Sequence, residues 1–269
     1  MTPRDHTGAR MNDIAEINRQ GQEIERQLLL RTAPVAVRFL REEAEIPGKA
    51  LRPKRDRGFH LAQCQAFAMT RRQRTTVAML KEDHWCWAPL MGFGMVPFEA
   101  QQPGSGAMVE DPQAAARLHA TWPHFEQGKY IGVVSSPLSS SAFEPDVVLI
   151  YSNTAQMRTL MMAIKYKEGR LVESRFDPID SCVFSTVPTV LSGDFRLTLP
   201  DPGEYERAMA GEDEIILSVP IAKLDTLVSG LAHLDTIGTG YTRFARDMHP
   251  DFPRPRFYRE LFAKWGLDA

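Results

Sequence analysis

Long apolar runs are absent from this sequence of 269 residues, and so is a strong excess of either charge. The longest apolar stretches, such as 147–151 and 215–219, have the length of strands, whereas a helix that crosses a bilayer needs about 20 apolar residues. We therefore expect no membrane partner. The 32 basic and 34 acidic residues leave a net charge of −2, so we expect no nucleic-acid partner either.

Cysteine is scarce, and the signatures of several common sites are missing. Three cysteines are an odd and small number, which is atypical of a secreted disulfide scaffold. The first 20 residues are polar and lack the apolar core of a secretion signal, so we expect a cytoplasmic protein. No CxxC pair, GxGxxG, Walker, GxSxG or HExxH pattern occurs, which removes the usual motif evidence for zinc, nucleotide and hydrolase sites.

The residues that are present predict a globular protein of mixed helix and sheet. Hydrophobic residues make up 43% of the chain and charged residues 25%, which is an ordinary globular composition. Apolar spacing and capping residues predict helices over 12–30, 60–72, 111–121, 152–167, 202–210, 221–234 and 258–265. Short apolar runs predict strands over 35–39, 75–80, 130–135, 147–151, 195–199 and 214–219. Residues 41–58 and 101–112 are interpreted as loops, and 181–191 as helix interrupted by Pro188.

The order of these elements indicates an α+β fold of two similar strand-helix-strand lobes that face each other across a cleft. The predicted parts are an N-terminal extension, an N-terminal lobe, a C-terminal lobe and a tail, over 1–11, 12–135, 136–245 and 246–269. The interval from Cys64 to Cys86 is 22 residues, and that from Cys182 to Asp201 is 19. These similar intervals favour an internal repeat, and the alternative is a chance similarity of α/β patterns.

Three thiolates brought together from separate segments would suit an iron–sulfur cluster, which cysteine thiolates bind, normally four of them. A set of three would leave one iron open, and such an iron can act as a Lewis acid on a substrate. The candidate ligands are therefore Cys64, Cys86 and Cys182. The alternative is that all three are small buried packing residues, as free cysteines often are.

The neighbours of the cysteines bear on this choice. Trp85 and Trp87 flank Cys86 and could form the apolar wall that excludes water from a metal centre, or could simply be core residues. His60 precedes Cys64 by four residues and would share its face of a helix. His60 is a candidate fourth ligand or acid/base, and His84 a candidate proton donor, although isolated histidines are more often only hydrogen-bonded.

Four stretches carry a family resemblance. The segments around Arg52–Met69, Lys81–Cys86, Asp180–Cys182 and Asp213–Pro220 together resemble a bacterial and archaeal family known as domain of unknown function number 169, over roughly residues 15–240. The resemblance implies that the three cysteines occupy recurring positions of the family, in a pattern that holds a metal cluster. It also implies a further cysteine in the turn where this chain has Asp201, so the fourth ligand would be absent or an oxygen.

These observations together predict a [4Fe-4S] protein with three cysteine ligands, acting on a small-molecule substrate as a lyase, hydrolase or reductase. His60 or His84 would move protons. The alternative is a small-ligand binding or redox-sensing module whose cysteines are structural. The fourth position could be filled by Asp201, His60 or substrate, and the oligomeric state stays open, with a homodimer as one assembly.

Overall fold

The computed structural model describes residues 10–98, 109–243 and 255–267. The predicted extension 1–11, the predicted loop 101–112 and the first part of the tail 246–269 lie mostly outside these residues. These ranges contain eleven α-helices, numbered in chain order as α1 Arg10–Leu28, α2 Pro53–Arg57, α3 Gln63–Gln73, α4 Trp87–Gly92, α5 Pro112–His119, α6 Thr154–Glu168, α7 Ser181–Phe184, α8 Val187–Ser192, α9 Pro202–Arg207, α10 Leu224–Thr236 and α11 Arg256–Lys264. None of the helices in the described ranges is long and apolar enough to cross a membrane.

Six strands form one antiparallel sheet, which confirms the predicted class of mixed helix and sheet. The strands are β1 Val35–Leu40, β2 Val77–Leu80, β3 Gly132–Pro137, β4 Val147–Ser152, β5 Arg196–Thr198 and β6 Ile215–Pro220. Their order across the sheet is β2-β3-β1-β4-β6-β5, and every neighbouring pair is antiparallel. In the first half of the chain, β1 is central, β2 is at the edge and β3 lies between them. In the second half, β4 is central, β5 is at the edge and β6 lies between them.

Strands β1 and β4 pair at the centre of the sheet, with Val35 opposite Leu149 and Val37 opposite Val147. The sheet is therefore continuous across the boundary between the two predicted lobes. A cleft that separates two lobes is not confirmed, and the internal repeat stays a prediction.

Both faces of the sheet are buried, which explains why its strands are apolar without interruption. Because side chains alternate along a strand, Ala36 and Leu40 face one core and Val35, Val37 and Phe39 face the other. Helices α1, α6 and α10 cover the first face. Helices α3, α4, α7 and α8 pack on the second face, and this second layer contains Cys182.

The interpretation of 41–58 as loop was wrong in part, because helix α2 lies inside it. Pro53 stands at the first turn of α2, where its fixed φ and missing N–H are tolerated. The side chain of Asp56 accepts a hydrogen bond from the backbone N–H of Arg52 at 2.8 Å. The predicted helix 181–191 is present as two short helices, α7 and α8, with Pro188 in the first turn of α8.

Candidate functional site

A cavity of about 490 Å³ opens on the second face of the sheet, between segments from both halves of the chain. Its volume is within the usual range of small-molecule sites. Cys64, Cys86 and Cys182 all lie in its wall, although the first and last are 118 positions apart in sequence. The remaining lining combines apolar side chains with a few charged ones, among them Trp85, Trp87, Leu118, Trp122, Ile179, Asp177, Asp180, Asp201 and Arg207.

A short parallel bridge between two segments brings Cys64 beside Cys86. The backbone N–H of Leu61 donates to the carbonyl of Asp83 at 2.9 Å, and the N–H of Trp85 donates to the carbonyl of Leu61 at 3.2 Å. Cys64 is the second residue of α3, which starts directly after this bridge, and Cys86 immediately precedes α4. The two cysteines therefore meet because the segments before their helices run side by side.

The buried carboxylate of Asp83 fixes the turn that leads to Cys86. It accepts hydrogen bonds from the guanidinium Nε of Arg52 at 2.8 Å and from the backbone N–H groups of Lys54 and Leu80, each at 2.9 Å. Arg52 is itself 5% exposed. A buried charge pair with several additional hydrogen bonds is geometrically rigid, so this turn has little freedom to move Cys86.

Asp201 fixes the backbone near Cys182, as Asp83 does near Cys86. Its Oδ2 accepts a hydrogen bond from the N–H of Ser181 at 2.9 Å, and its Oδ1 accepts one from the N–H of Glu204 at 2.8 Å. One carboxylate thus caps α9 and fixes the start of α7, where Cys182 is the second residue. Both oxygens of Asp201, one of three candidates for the fourth position, are therefore engaged by backbone donors.

Helix α4 reaches the cavity because Gly92 lets it approach α7 closely. A Cβ atom at this position would lie 2.7 Å from a methyl carbon of Val183, closer than real Cβ contacts come. The glycine thus brings the segment after Cys86 against the segment of Cys182.

The thiols of the site favour their protonated forms. Burial raises the pKa of Cys64 to about 12, and the nearby carboxylates of Glu204 and Asp201 add to the shift. Burial likewise raises the pKa of Cys86, and it raises that of Cys182 well above the ordinary range. Thiolates are the reactive and metal-binding species, so these cysteines need a positive partner to ionise at neutral pH.

Two donors counteract burial at the sulfur atoms. The guanidinium of Arg207 offsets part of the rise in the pKa of Cys64, and the backbone N–H of Ala88 offsets part of the rise at Cys86. Hydrogen bonds to sulfur are among the interactions that tune iron–sulfur centres. The donors therefore lie where they would stabilise negative charge on sulfur.

Asp180 is the most unusual residue of the cavity wall. Its backbone has φ of 58°, the left-handed region that few residues other than glycine adopt. The indole Nε1 of Trp122 donates to its Oδ2 at 3.3 Å. Burial, and then the negative charges of Asp177 and Asp201, raise the pKa of Asp180 to about 7. Strained backbone and a raised pKa are both typical of functional sites.

A buried polar network lies behind the cavity. The hydroxyl of Tyr151 donates to Oε1 of Glu204 at 2.8 Å, and the hydroxyl of Ser181 reaches the same oxygen at 3.2 Å. The guanidinium of Arg71 lies 4.0 Å from the centre of the Tyr151 ring and forms a two-fold hydrogen-bonded pair with Glu214, at 2.9 and 3.0 Å. Burial raises the pKa of Glu204 to about 7.

The two predicted histidines do not line the cavity. His60 is exposed, before the bridge at Leu61. His84 is buried, neither of its ring nitrogens has a hydrogen-bond partner among the described residues, and burial lowers its pKa to about 4. It is therefore neutral at physiological pH. A catalytic role for either histidine stays a prediction.

Within 10–98, 109–243 and 255–267, no group of three or more histidine, cysteine, aspartate or glutamate side chains is arranged to hold a metal ion. The three cysteines share one cavity without forming such a group. A cubane cluster differs from a single ion because each of its ligands binds a different iron, so the ligands are further apart.

Sequence reasoning missed four residues of the site: Trp122, Asp180, Glu204 and Arg207. Trp122 and Asp180 lie 58 positions apart, in segments that no sequence pattern links. Asp201 could have been predicted as a helix cap, because Asp201-Pro202 repeats the Asp111-Pro112 pattern that predicts the start of a helix. Glu204 would then have followed as a residue of the first turn.

Comparison with known proteins gives a family and one distant relative. The family model described as "Uncharacterised ArCR", DUF169, matches residues 23–230. The chain is 23% identical over 235 residues to the uncharacterized protein MJ0308 of Methanocaldococcus jannaschii, which covers 84% of this chain and 98% of the relative. No solved structure matches the chain.

The matched range contains all three cysteines, Asp201 and Arg207. It begins within α1 and ends within α10, so it includes the whole sheet and the cavity. On this evidence the chain belongs to the DUF169 family.

Proposed function

We propose that the chain holds a [4Fe-4S] cluster on Cys64, Cys86 and Cys182 and acts on a small-molecule substrate in the cavity beside it, in the cytoplasm. The observation that carries the proposal is the convergence of the three cysteines on one cavity, from three separate helix starts. Packing residues have no reason to share an accessible cavity, whereas ligands of one cluster must do so.

The chemistry of the donor set supports this proposal. The cavity combines three thiols with the carboxyl groups of Asp177 and Asp180, and burial raises the pKa of all five groups. A bound cationic centre would reverse these shifts, because metal binding releases protons from its ligands. With Asp201 engaged by two backbone donors, the fourth iron position is left to substrate.

The cluster would supply a Lewis-acidic iron that polarises an oxygen or sulfur atom of the substrate. The chain would supply the surroundings. Trp85, Trp87 and Trp122 form an apolar wall that limits water at the site. Asp180, with a pKa of about 7, lies in the same wall and can hold or release a proton near neutral pH. The structure favours Asp180 over His60 and His84 for this role, since neither histidine reaches the cavity.

The second candidate function is a small-ligand binding module without a cluster. Trp85 and Trp87 are 51% and 43% exposed at the cavity, and exposed tryptophans in a concave site are typical of ligand binding. A redox-sensing role is less well supported, because sensor cysteines have lowered pKa values and these are raised.

We also propose that the two halves of the chain are an internal repeat. In each half, the first strand lies at the centre of the sheet, the second lies at its edge, and the third lies between these two. Cys64 and Cys182 are each the second residue of a helix that comes before an edge strand. Cys86 and Asp201 each occupy the position before a helix that follows an edge strand. The four positions would then be two equivalent pairs around one site.

Iron and acid-labile sulfide, measured after oxygen-free purification and reconstitution, test the cluster. We expect the complement of one [4Fe-4S] cluster per chain and a broad visible absorbance. Each of the variants Cys64→Ser, Cys86→Ser and Cys182→Ser should lose most of the iron, because a cluster with two protein ligands is poorly held.

The matched control is Ala68→Ser. Ala68 is buried in the same small cluster of side chains as Cys64, on the same helix, so this variant adds a hydroxyl there and leaves every thiol in place. It should retain the iron. A protein that binds no iron or sulfide under these conditions, or cysteine variants that retain both, would rule out the cluster and favour the binding module.

A further inference from the structure

We propose that the ligand of the cavity is a small carboxylic acid, whose carboxylate pairs with Arg207 and whose apolar body lies against the tryptophans. The inference rests on the proposed function in that it names the substrate class for the same cavity. Its evidence is separate, because it depends on the charged and aromatic side chains of the wall and not on the cysteines.

Arg207 is the one arginine or lysine side chain among the described residues that line the cavity. Its guanidinium carbon lies 4.9 Å from the centre of the Trp85 ring, and its side chain is 35% exposed. Stacking on an indole fixes the plane of a guanidinium and leaves its edge free to donate. Arg207 is thus presented at the mouth of the cavity in an orientation suited to a carboxylate.

The anionic side chains of the wall already accept hydrogen bonds from the chain, whereas Arg207 has donors to spare. Asp201 accepts from two backbone N–H groups, Asp180 from the indole of Trp122 and Asp177 from the N–H of Ile179 at 2.8 Å. One donor of Arg207 acts on Cys64, and its ion pair is with Glu206, at 3.8 Å and on the exposed side of α9. A ligand carboxylate would satisfy donors that the chain leaves available.

Gly203 makes room for the guanidinium. A Cβ atom built at this position would lie 2.4 Å from Nη2 of Arg207 and 3.1 Å from Cζ. Glycine is less favourable than alanine inside a helix, and here it lets the arginine fold back over the first turn of α9. An alanine at 203 would therefore displace the guanidinium without removing its charge.

The apolar part of the ligand would lie among aromatic rings. Trp87 and Trp122 are stacked with their centres 6.1 Å apart, and the exposed side chain of Leu118 lies in the same wall. Flat or branched apolar groups gain most from such a wall, because aromatic side chains bury large areas at low entropic cost. A carboxylate attached directly to a small apolar body matches both features of the cavity.

Three probes with one aromatic body and different head groups test this inference: 4-fluorobenzoate, 4-fluorobenzyl alcohol and 4-fluorobenzylamine. Fluorine NMR titrations give a Kd for each, on the anaerobic protein and on the same protein after iron chelation. We expect the benzoate to bind about tenfold or more tightly than the alcohol, since a hydrogen bond to a charged group exceeds a neutral one by about that factor.

Arg207→Gln should remove this preference, and Gly203→Ala should reduce it. Arg57→Gln changes an exposed arginine that does not line the cavity and should leave the preference intact. Circular dichroism of each variant establishes that it is folded. An amine that binds best, no binding by any probe, or a benzoate preference that survives Arg207→Gln would overturn the inference.

Iron content measured on the same samples separates the two proposals. A wild-type chain that binds iron but shows no benzoate preference would refute the carboxylate site alone. A preserved preference in a chain that never binds iron would refute the cluster alone and leave a carboxylate-binding module.

Discussion

At the scale of single residues, the molecule concentrates its buried charge directly behind the cavity. Arg71 is 1% exposed and pairs with Glu214, while Glu204 is fully buried between Tyr151 and Ser181. Buried ionic groups contribute little net stability as intact pairs, yet the loss of one partner is expensive. Their energetic effect is therefore best seen by removing one member at a time.

Glu214→Gln should lower the free energy of unfolding by about 3–5 kcal/mol, because the buried guanidinium of Arg71 loses its charged partner. Denaturant unfolding followed by circular dichroism measures the change. Asp213→Asn is the matched control on the preceding residue, since the Arg31–Asp213 pair is more than half exposed on both sides. Exposed pairs contribute about 0–1 kcal/mol. Equal effects of the two substitutions would contradict this account of the network.

Glu204 should make stability depend on pH. Burial raises its pKa in the folded chain from 4.5 to about 7, so the folded state binds the proton more tightly than the unfolded state. Its contribution is complete below about pH 4.5 and is lost as the pH rises to about 7. The free energy of unfolding should fall by about 3 kcal/mol over this interval from Glu204 alone.

Unfolding curves of Glu204→Gln at several pH values test this sign. The stability of the variant should fall less steeply than that of the wild type between about pH 4.5 and 7. The variant keeps the contribution of Asp180, whose pKa burial raises to about 7 and which acts in the same direction. Glu206→Gln, an exposed neighbour on α9, should keep the full slope. A wild type that becomes more stable over this interval, with a variant that does not, would contradict the assignment.

At the scale of elements, one carboxylate sets the position of two helices. Asp201→Ala should lower the free energy of unfolding by about 1–2 kcal/mol, since an N-cap is lost. It should also speed amide exchange at Ser181 as well as Glu204, because both N–H groups donate to this side chain.

Asp111→Ala is the control for this prediction. Asp111 caps α5 through the N–H of Ala114, so its loss should cost a similar amount and leave exchange at Ser181 unchanged. Unchanged exchange at Ser181 in Asp201→Ala would mean that the start of α7 is fixed by other contacts.

The elements themselves were largely predictable, because they follow from local patterns. All six predicted strands are present, with ends that shift by at most two residues, as β3 at Gly132–Pro137 against the predicted 130–135 illustrates. Helix α2 was missed because five residues are too few to show an apolar stripe. The order of the strands was not predictable, since antiparallel pairs such as β1 with β4 join segments more than 100 residues apart.

At the scale of the whole molecule, the site depends on a convergence that the sequence only partly indicates. The cysteines could be selected from their chemistry and context, and the structure brings them to one cavity. Arg207 and Trp122 could not, because an arginine or a tryptophan has many structural uses and only tertiary packing places these two beside the cysteines. The family pattern made Asp201 a candidate for the fourth ligand position, whereas its hydrogen bonds show that it caps a helix.

The continuous sheet has two outer strands, and both are short and covered. Strand β2 has four residues, and the backbone of Leu51 exchanges hydrogen bonds with Thr76 and Ala78 along its outer side. Strand β5 has three, and Ser174 accepts from the N–H of Leu197. Sheet edges that are short and already hydrogen-bonded resist pairing with another chain. If this protein forms a homodimer, the two copies should therefore associate through helices or loops, and edge-to-edge aggregation of the folded state should be slow.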